Sequence, residues 1–260
     1  MTGGLRLSVA LGEYDTGWHD SKASIAAAER VIGRAAGVGA ELVVLPEMAT
    51  TGFTMDAAQA VPLDSPDVDA LCGIALRHRV WLIAGMALRE DAAVPAMAVN
   101  GALAIDPSGR VAAVHHKQRL FAFAGEDQSY ESGHESTVVE INGVAVGLFI
   151  CYELRFPEVF APVANDVSAM IVIANWPAAR QEHWDTLLRA RAIENQCFVV
   201  GVNRTGTADR LTYDGGSVAY DPLGARLVPP ASSGVRLVSV DAGQVSAVRE
   251  RFPFLRDRRI

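Results

Sequence analysis

The chain has 260 residues, half of them apolar and 20% charged, which excludes a disordered or collagen-like polymer and leaves a globular protein with a substantial core. Thirty acidic against 23 basic residues give a formal charge of -7, and no basic run offsets a field that repels nucleic acid and anionic membranes. At about 100 to 200 residues per domain, a single domain over residues 1–260 is the economical expectation.

Met1-Thr2-Gly3-Gly4 has no basic stretch leading into an apolar one, so no export signal is expected. Leu5 to Leu11 alternates apolar with small or polar residues and predicts a strand. Asp20 or Ser21 then caps a helix with Ile25, Ala28, Ile32 and Ala35 on one face, ended by Gly37 and Gly39. Glu41 to Leu45 is the short apolar burst of a strand buried on both faces, followed by a loop through Pro46 and Gly52. Ser65 to Arg79 predicts a second helix. Trp81 to Leu88, Ala96 to Ile105 and Arg110 to His116 predict consecutive strands, the last two joined by a turn at Asp106-Pro107-Ser108-Gly109. The charge-free stretch Ala92 to Ile105 is broken by Pro95 and Asn100 and falls short of the roughly 18 apolar residues of a membrane helix.

Val138 to Ile141 and Val144 to Cys151 flank Asn142-Gly143, a strong signal for an antiparallel hairpin. Phe156 to Asn165 reads as a short helix or loop, and Ala169 to Asn175 as a buried strand. Gln181 to Gln196 predicts a helix with Trp184, Leu187 and Leu188 inward and Asp185 and Arg189 paired toward solvent. Phe198 to Val202, Gly216 to Tyr220 and Gly234 to Val240 complete the strands, with another turn at Asp221-Pro222-Leu223-Gly224. Mixing β-α-β units with hairpins implies mixed sheets with helices outside them.

Several familiar chemistries fail on inspection. There is no phosphate-cradling Gly-x4-Gly-Lys-Ser/Thr loop, no dinucleotide fingerprint and no Gly-x-Ser-x-Gly elbow. His115 and His116 are neighbours on a strand and point to opposite faces, so they cannot chelate one ion together; one surface and one packed histidine are expected. Cys72, Cys151 and Cys197 are odd in number and widely spaced, which suits a reducing cytoplasm. Three ionisable groups remain at the ends of predicted strands, where clefts open in layered α/β proteins: Glu47, Lys117 and Cys151. Alone, each has a bland reading as a loop carboxylate, a solvated lysine or a small core thiol.

Together they carry a resemblance. Leu45-Pro46-Glu47-Met48, His116-Lys117-Gln118-Arg119-Leu120-Phe121 and the run from Gly147 through Cys151-Tyr152-Glu153-Leu154-Arg155 to Glu158 resemble, in order, the three motifs of the nitrilase superfamily of carbon-nitrogen hydrolases. Residues 121–133 and 174–203 look like its omega-amidase branch, which hydrolyses 2-oxoglutaramate and related 2-oxo acid amides. The resemblance implies an α/β four-layer α-β-β-α sandwich with mixed sheets. It also implies a small-molecule amide as substrate, no metal or organic cofactor, and a homodimer joined through helices and carboxy-terminal segments. The apolar character of Phe156 to Ala164 and Phe252-Pro253-Phe254-Leu255 is in keeping with the dimer, against packing on their own subunit.

By the same resemblance Cys151 is the nucleophile and Glu47 the general base, while Lys117 and the backbone N–H of Tyr152 stabilise the oxyanion. A neighbouring ammonium favours a thiolate, so Lys117 is expected to promote ionisation of Cys151. Glu126 is the glutamate that holds the lysine and substrate, with Asp127 and Glu131 close by as alternatives. Trp176 walls the substrate pocket or is an ordinary core residue. Arg155 is read as a structural ion pair beside Phe156-Pro157-Glu158, which leaves the reader of a substrate carboxylate unassigned. The rival functions are another hydrolase of the superfamily, acting on a carbamoyl compound or a different linear amide, and a catalytically silent scaffold.

Overall fold

The computed structural model describes residues 5–89, 98–208, 210–227 and 234–258. Strand β1 (Arg6–Leu11) leads to helix α1 (Ser21–Gly37), where the Asp20 carboxylate accepts from the Ala23 N–H and caps the first turn. After β2 (Leu42–Val44), helix α2 (Pro66–His78) begins at an Ser65 cap with proline at its first position. Then come β3 (Trp81–Leu88), β4 (Ala98–Ile105) and β5 (Val111–His116); positions 96 and 97 of the expected fourth strand lie outside the described residues. A single-turn α3 (Glu126–Ser129) and β6 (Tyr130–Glu131) precede the hairpin β7 (Thr137–Ile141) and β8 (Val144–Ile150), with Asn142 and Gly143 at φ 49 and 82° as the two-residue turn requires. Short α4 (Pro157–Phe160), β9 (Ala169–Ala174), α5 (Gln181–Asn195) and β10 (Phe198–Asn203) follow. The chain continues through β11 (Thr205–Ala208), β12 (Leu211–Asp214), β13 (Val218–Tyr220), β14 (Arg226–Leu227), β15 (Arg236–Asp241) and α6 (Ala242–Arg251).

One sheet runs β15-β1-β2-β3-β4-β5 with β6 beside β4, the other β14-β13-β10-β9-β8-β7. Each has a parallel centre, β1-β2-β3 or β8-β9-β10, flanked by antiparallel neighbours. The two-residue period of a strand sorts the side chains. On β8, Val146, Leu148 and Ile150 face Leu7, Val9, Val44 and Ile83 of the other sheet, whereas Phe149 faces outward to Phe160 and Trp184. Ala28 and Ile32 of α1 and Leu71 and Ile74 of α2 cover the outer side of the first sheet. The result is the four-layer α-β-β-α sandwich with mixed sheets.

Some expectations are corrected. Asp185 and Arg189 do not pair, because the β13–β14 turn lies over α5: Arg226 reaches Asp185 at 3.2 Å and Arg189 donates to the Gly224 carbonyl. Val159, Phe160, Val163 and Ala164 are buried on their own subunit, Phe160 stacked on Phe149 at 3.9 Å, which leaves Phe156, Pro157, Ala161 and Pro162 as the exposed or half-buried apolar residues of that segment. The β11–β12 hairpin and α6 were not anticipated. Thr205–Ala208 is small and polar, and α6 buries only Val245 and Val248, too few for a periodic signal. The cap of α6 was nonetheless legible, since the Asp241 carboxylate accepts from the N–H groups of Gly243 and Gln244. Among the described residues no helix is long and apolar enough to cross a membrane.

Candidate active site

Beyond β2 the chain passes through Leu45 and Pro46 to Glu47, which is fully buried. That passage needs Gly85 on β3, where a Cβ would come within 2.5 Å of Glu47 Cα and the Met48 nitrogen. Lys117 leaves β5 with its N–H donating to the Asn100 carbonyl at 2.9 Å, and its side chain is equally buried. Its Nζ donates to Glu47 Oε1 at 2.8 Å and to both Glu126 oxygens at 2.9 Å, and lies 5.2 Å from the centre of the Phe53 ring. Glu126 is therefore the second glutamate beside the lysine, while Asp127 and Glu131 are exposed.

Two asparagines complete the cluster, and the sequence reading missed both. Asn100 on β4 donates from Nδ2 to Glu47 Oε1 at 2.8 Å and Glu126 Oε1 at 2.7 Å. Asn175, just past β9, gives its N–H to Glu47 Oε2 at 2.9 Å and its Nδ2 to the Glu47 carbonyl at 2.7 Å. The signal available was positional: each is a polar residue in or just past an otherwise apolar strand, where a buried amide must find partners. Burial alone would raise the Glu47 carboxyl, but the Lys117 charge and the bonds from Lys117, Asn100 and Asn175 hold it below its ordinary value. Burial likewise disfavours the Lys117 ammonium, and the charges of Glu126 and Glu47 outweigh it, so the lysine is raised and stays charged.

Cys151 follows β8 at φ 47°, a left-handed conformation that costs a non-glycine residue about 1–3 kcal/mol, and opens the tight turn Cys151–Arg155. Its thiol is raised well above its ordinary value by burial first and by the Glu47 charge, against the opposing effect of Lys117. Lys117 thus favours ionisation of Cys151, as expected, but burial and the Glu47 charge outweigh it.

Cys151 borders a cavity of about 380 Å³ walled by Phe53, Phe121, Tyr152, Trp176 and Tyr213, with Arg155 and Arg180 also lining it. Trp176 is both wall and anchored residue, since its Nε1 donates to the Arg180 carbonyl at 2.8 Å and its ring lies 4.9 Å beneath the Arg155 guanidinium. The expected structural ion pair of Arg155 is not formed. Glu158 sits 3.6 Å from Arg119, and Arg155 turns into the cavity with His183 at 3.3 Å. Among the described residues neither Arg155 nor Arg180 has a carboxylate partner. Phe123 stands outside, 90% exposed.

The sequence model of the carbon-nitrogen hydrolase family matches residues 8–250. The chain is 39% identical to omega-amidase YafV of Yersinia enterocolitica over 220 residues, 84% of each chain. It is 35% identical to the 2-oxoglutaramate amidase of Paenarthrobacter nicotinovorans over 235 residues, 86% of this chain and 80% of that one. Among solved structures, a CN-hydrolase superfamily protein from Xanthomonas campestris superposes with a TM-score of 0.89 at 33% identity and 98% coverage of both chains.

Proposed function

This chain belongs to the carbon-nitrogen hydrolase family, and we propose that it is a thiol amidase of the omega-amidase type, converting short 2-oxo dicarboxylate monoamides to the acid and ammonia. The observation that carries this reading is the juxtaposition of the Glu47-Lys117-Glu126 cluster and Cys151 with a cavity holding two guanidiniums that lack a carboxylate partner. Glu47, ionised at rest, takes the Cys151 proton as Sγ attacks the amide carbon. The oxyanion is met by the Lys117 ammonium and the Tyr152 N–H. Glu47 returns the proton to the departing nitrogen, the C–N bond breaks and ammonia leaves a thioester on Cys151. Water then gives a proton to Glu47 and attacks that carbonyl, and the released thiol recovers the proton. The cycle balances without a metal or organic cofactor. Glu126 holds the lysine, Trp176 walls the site, and Arg155, with Arg180 beside it, is the cation available for the substrate carboxylate.

The test is ammonia release from 2-oxo acid amides, carbamoyl compounds and nitriles, with Cys151→Ala as control. A 2-oxoglutaramate-like amide is expected to give the highest kcat/KM. Arg155→Leu should lower that value about 10- to 100-fold, mostly through KM, as loss of a charged hydrogen bond does. No 2-oxo amide turned over above the control would overturn the proposal.

We place the enzyme in a reducing cytoplasm, in keeping with three free thiols. A second copy is its proposed protein partner, docking at the tail, where Phe254 is 66% exposed although Phe252 packs beside it. Truncation after Glu250 is expected to weaken a dimer at micromolar concentration in sedimentation velocity. A full-length chain that sediments as a monomer would remove that partner.

A further inference from the structure

Glu153 and His115 are fully buried, and the reaction just described uses neither. The Glu153 carboxylate accepts three donors: the N–H of Ile150, the N–H of Gln118 at 2.6 Å, and His115 Nε2 at 3.1 and 3.2 Å from its two oxygens. On its far side His115 is steadied by Thr137, whose Oγ1 lies 3.3 Å from Nδ1. Ile150 immediately precedes Cys151, and Gln118 immediately follows Lys117. These two backbones belong to different sheets, β8 in one and β5 in the other, so no strand ladder sets the distance between them. One carboxylate spans that gap, two residues from the left-handed Cys151.

We propose that Glu153 and His115 are positioning residues for the amidase reaction: Glu153 sets the separation of Cys151 from Lys117 by binding the backbone beside each, and His115 holds the carboxylate between them. The proposal rests on the reading of Cys151 as nucleophile and Lys117 as oxyanion donor. Three converging donors require a group that only accepts. A glutamine at 153 would turn an N–H toward one of them, and a hydrophobic residue at 115 would leave the carboxylate one donor short. A displacement of about 1 Å between reacting groups costs on the order of 100-fold in rate. The binding cavity is untouched, so the loss belongs in kcat.

The experiment compares His115→Leu, His115→Gln and Glu153→Gln with the full-length protein, by steady-state ammonia release and by the rate at which iodoacetamide alkylates Cys151, at a temperature where circular dichroism shows each folded. His115→Leu is expected to lower kcat about 10- to 100-fold with KM within about threefold and to slow alkylation. His115→Gln, whose Nε2 can donate from nearly the same place, should recover at least fivefold of the lost kcat. Glu153→Gln should lose about 100-fold or more, and if it does not fold the His115 pair decides the matter. Unchanged kcat in His115→Leu, an equal loss in both His115 variants, or a loss confined to KM or to melting temperature would overturn the proposal. Ammonia release that persists in Cys151→Ala would instead remove the nucleophile assignment beneath it.

Discussion

Lys117→Met is expected to lower kcat/KM by at least about 100-fold, the usual cost of one oxyanion donor, and to reverse the acid response of the fold. In the wild-type protein the Glu47 carboxyl is held below its ordinary value, so its stabilisation is present above the unfolded value near pH 4.3 and is lost as pH falls through the folded value. Without the ammonium, burial and the Glu126 charge both push Glu47 up. Its contribution is then present below about pH 4.3 and is lost as pH rises through the raised value. Removing one partner from a buried ion pair costs about 3–5 kcal/mol. Denaturant unfolding should show a gap of that order between variant and wild type at pH 8, narrowing on acidification toward pH 5. A gap that does not change with pH would mean that the carboxylates do not depend on Lys117.

Glu47→Gln is expected to lower kcat by about 100- to 10,000-fold, the range over which a positioned general base acts. The size follows from the raised thiol of Cys151, which at neutral pH has a proton to lose and Glu47 as the adjacent acceptor. Glutamine keeps an oxygen for Lys117 and Asn100 but turns its amide N–H toward the Asn175 N–H, while Glu126 still neutralises the ammonium, so unfolding should move, though less than in Lys117→Met. Substrate binding should persist with KM within a few fold. Stopped-flow ammonia release and iodoacetamide inactivation should slow together, because both draw on the same proton transfer. Inactivation at the wild-type rate would show that another group takes the thiol proton.

Much of this was legible in the sequence because the signals are local. Asp20, Ser65 and the Asn142-Gly143 turn mark element boundaries through backbone hydrogen bonding and left-handed φ, and the apolar bursts at Leu42–Val44 and Val144–Ile150 mark strands buried on both faces. Glu47, Lys117 and Cys151 each follow a predicted strand, where clefts open, and the resemblance of the motifs around them brought the three together. What the residues alone did not give was the balance of charge. Glu126 could not be separated from Asp127 and Glu131 until α3 turned it beneath Lys117, and the Cys151 thiol is raised by burial and the Glu47 charge against the effect of the lysine. Arg155 was misjudged for a related reason: Glu158, its near neighbour in sequence, faces Arg119 instead. Asn100, Asn175 and Glu153 work across 53, 128 and 35 residues respectively, through contacts that no local pattern announces.

The most direct test of the central claim is mass spectrometry of the Cys151 peptide after acid quenching of Glu47→Gln mixed with a 2-oxoglutaramate-like amide. Loss of the base should slow deacylation as well as acylation, so over minutes a fraction of the protein should carry the acyl group, minus ammonia, on Cys151. Brief hydroxylamine treatment should remove it, as expected of a thioester. An acyl group on another residue, or wild-type ammonia release from Cys151→Ala, would contradict the account.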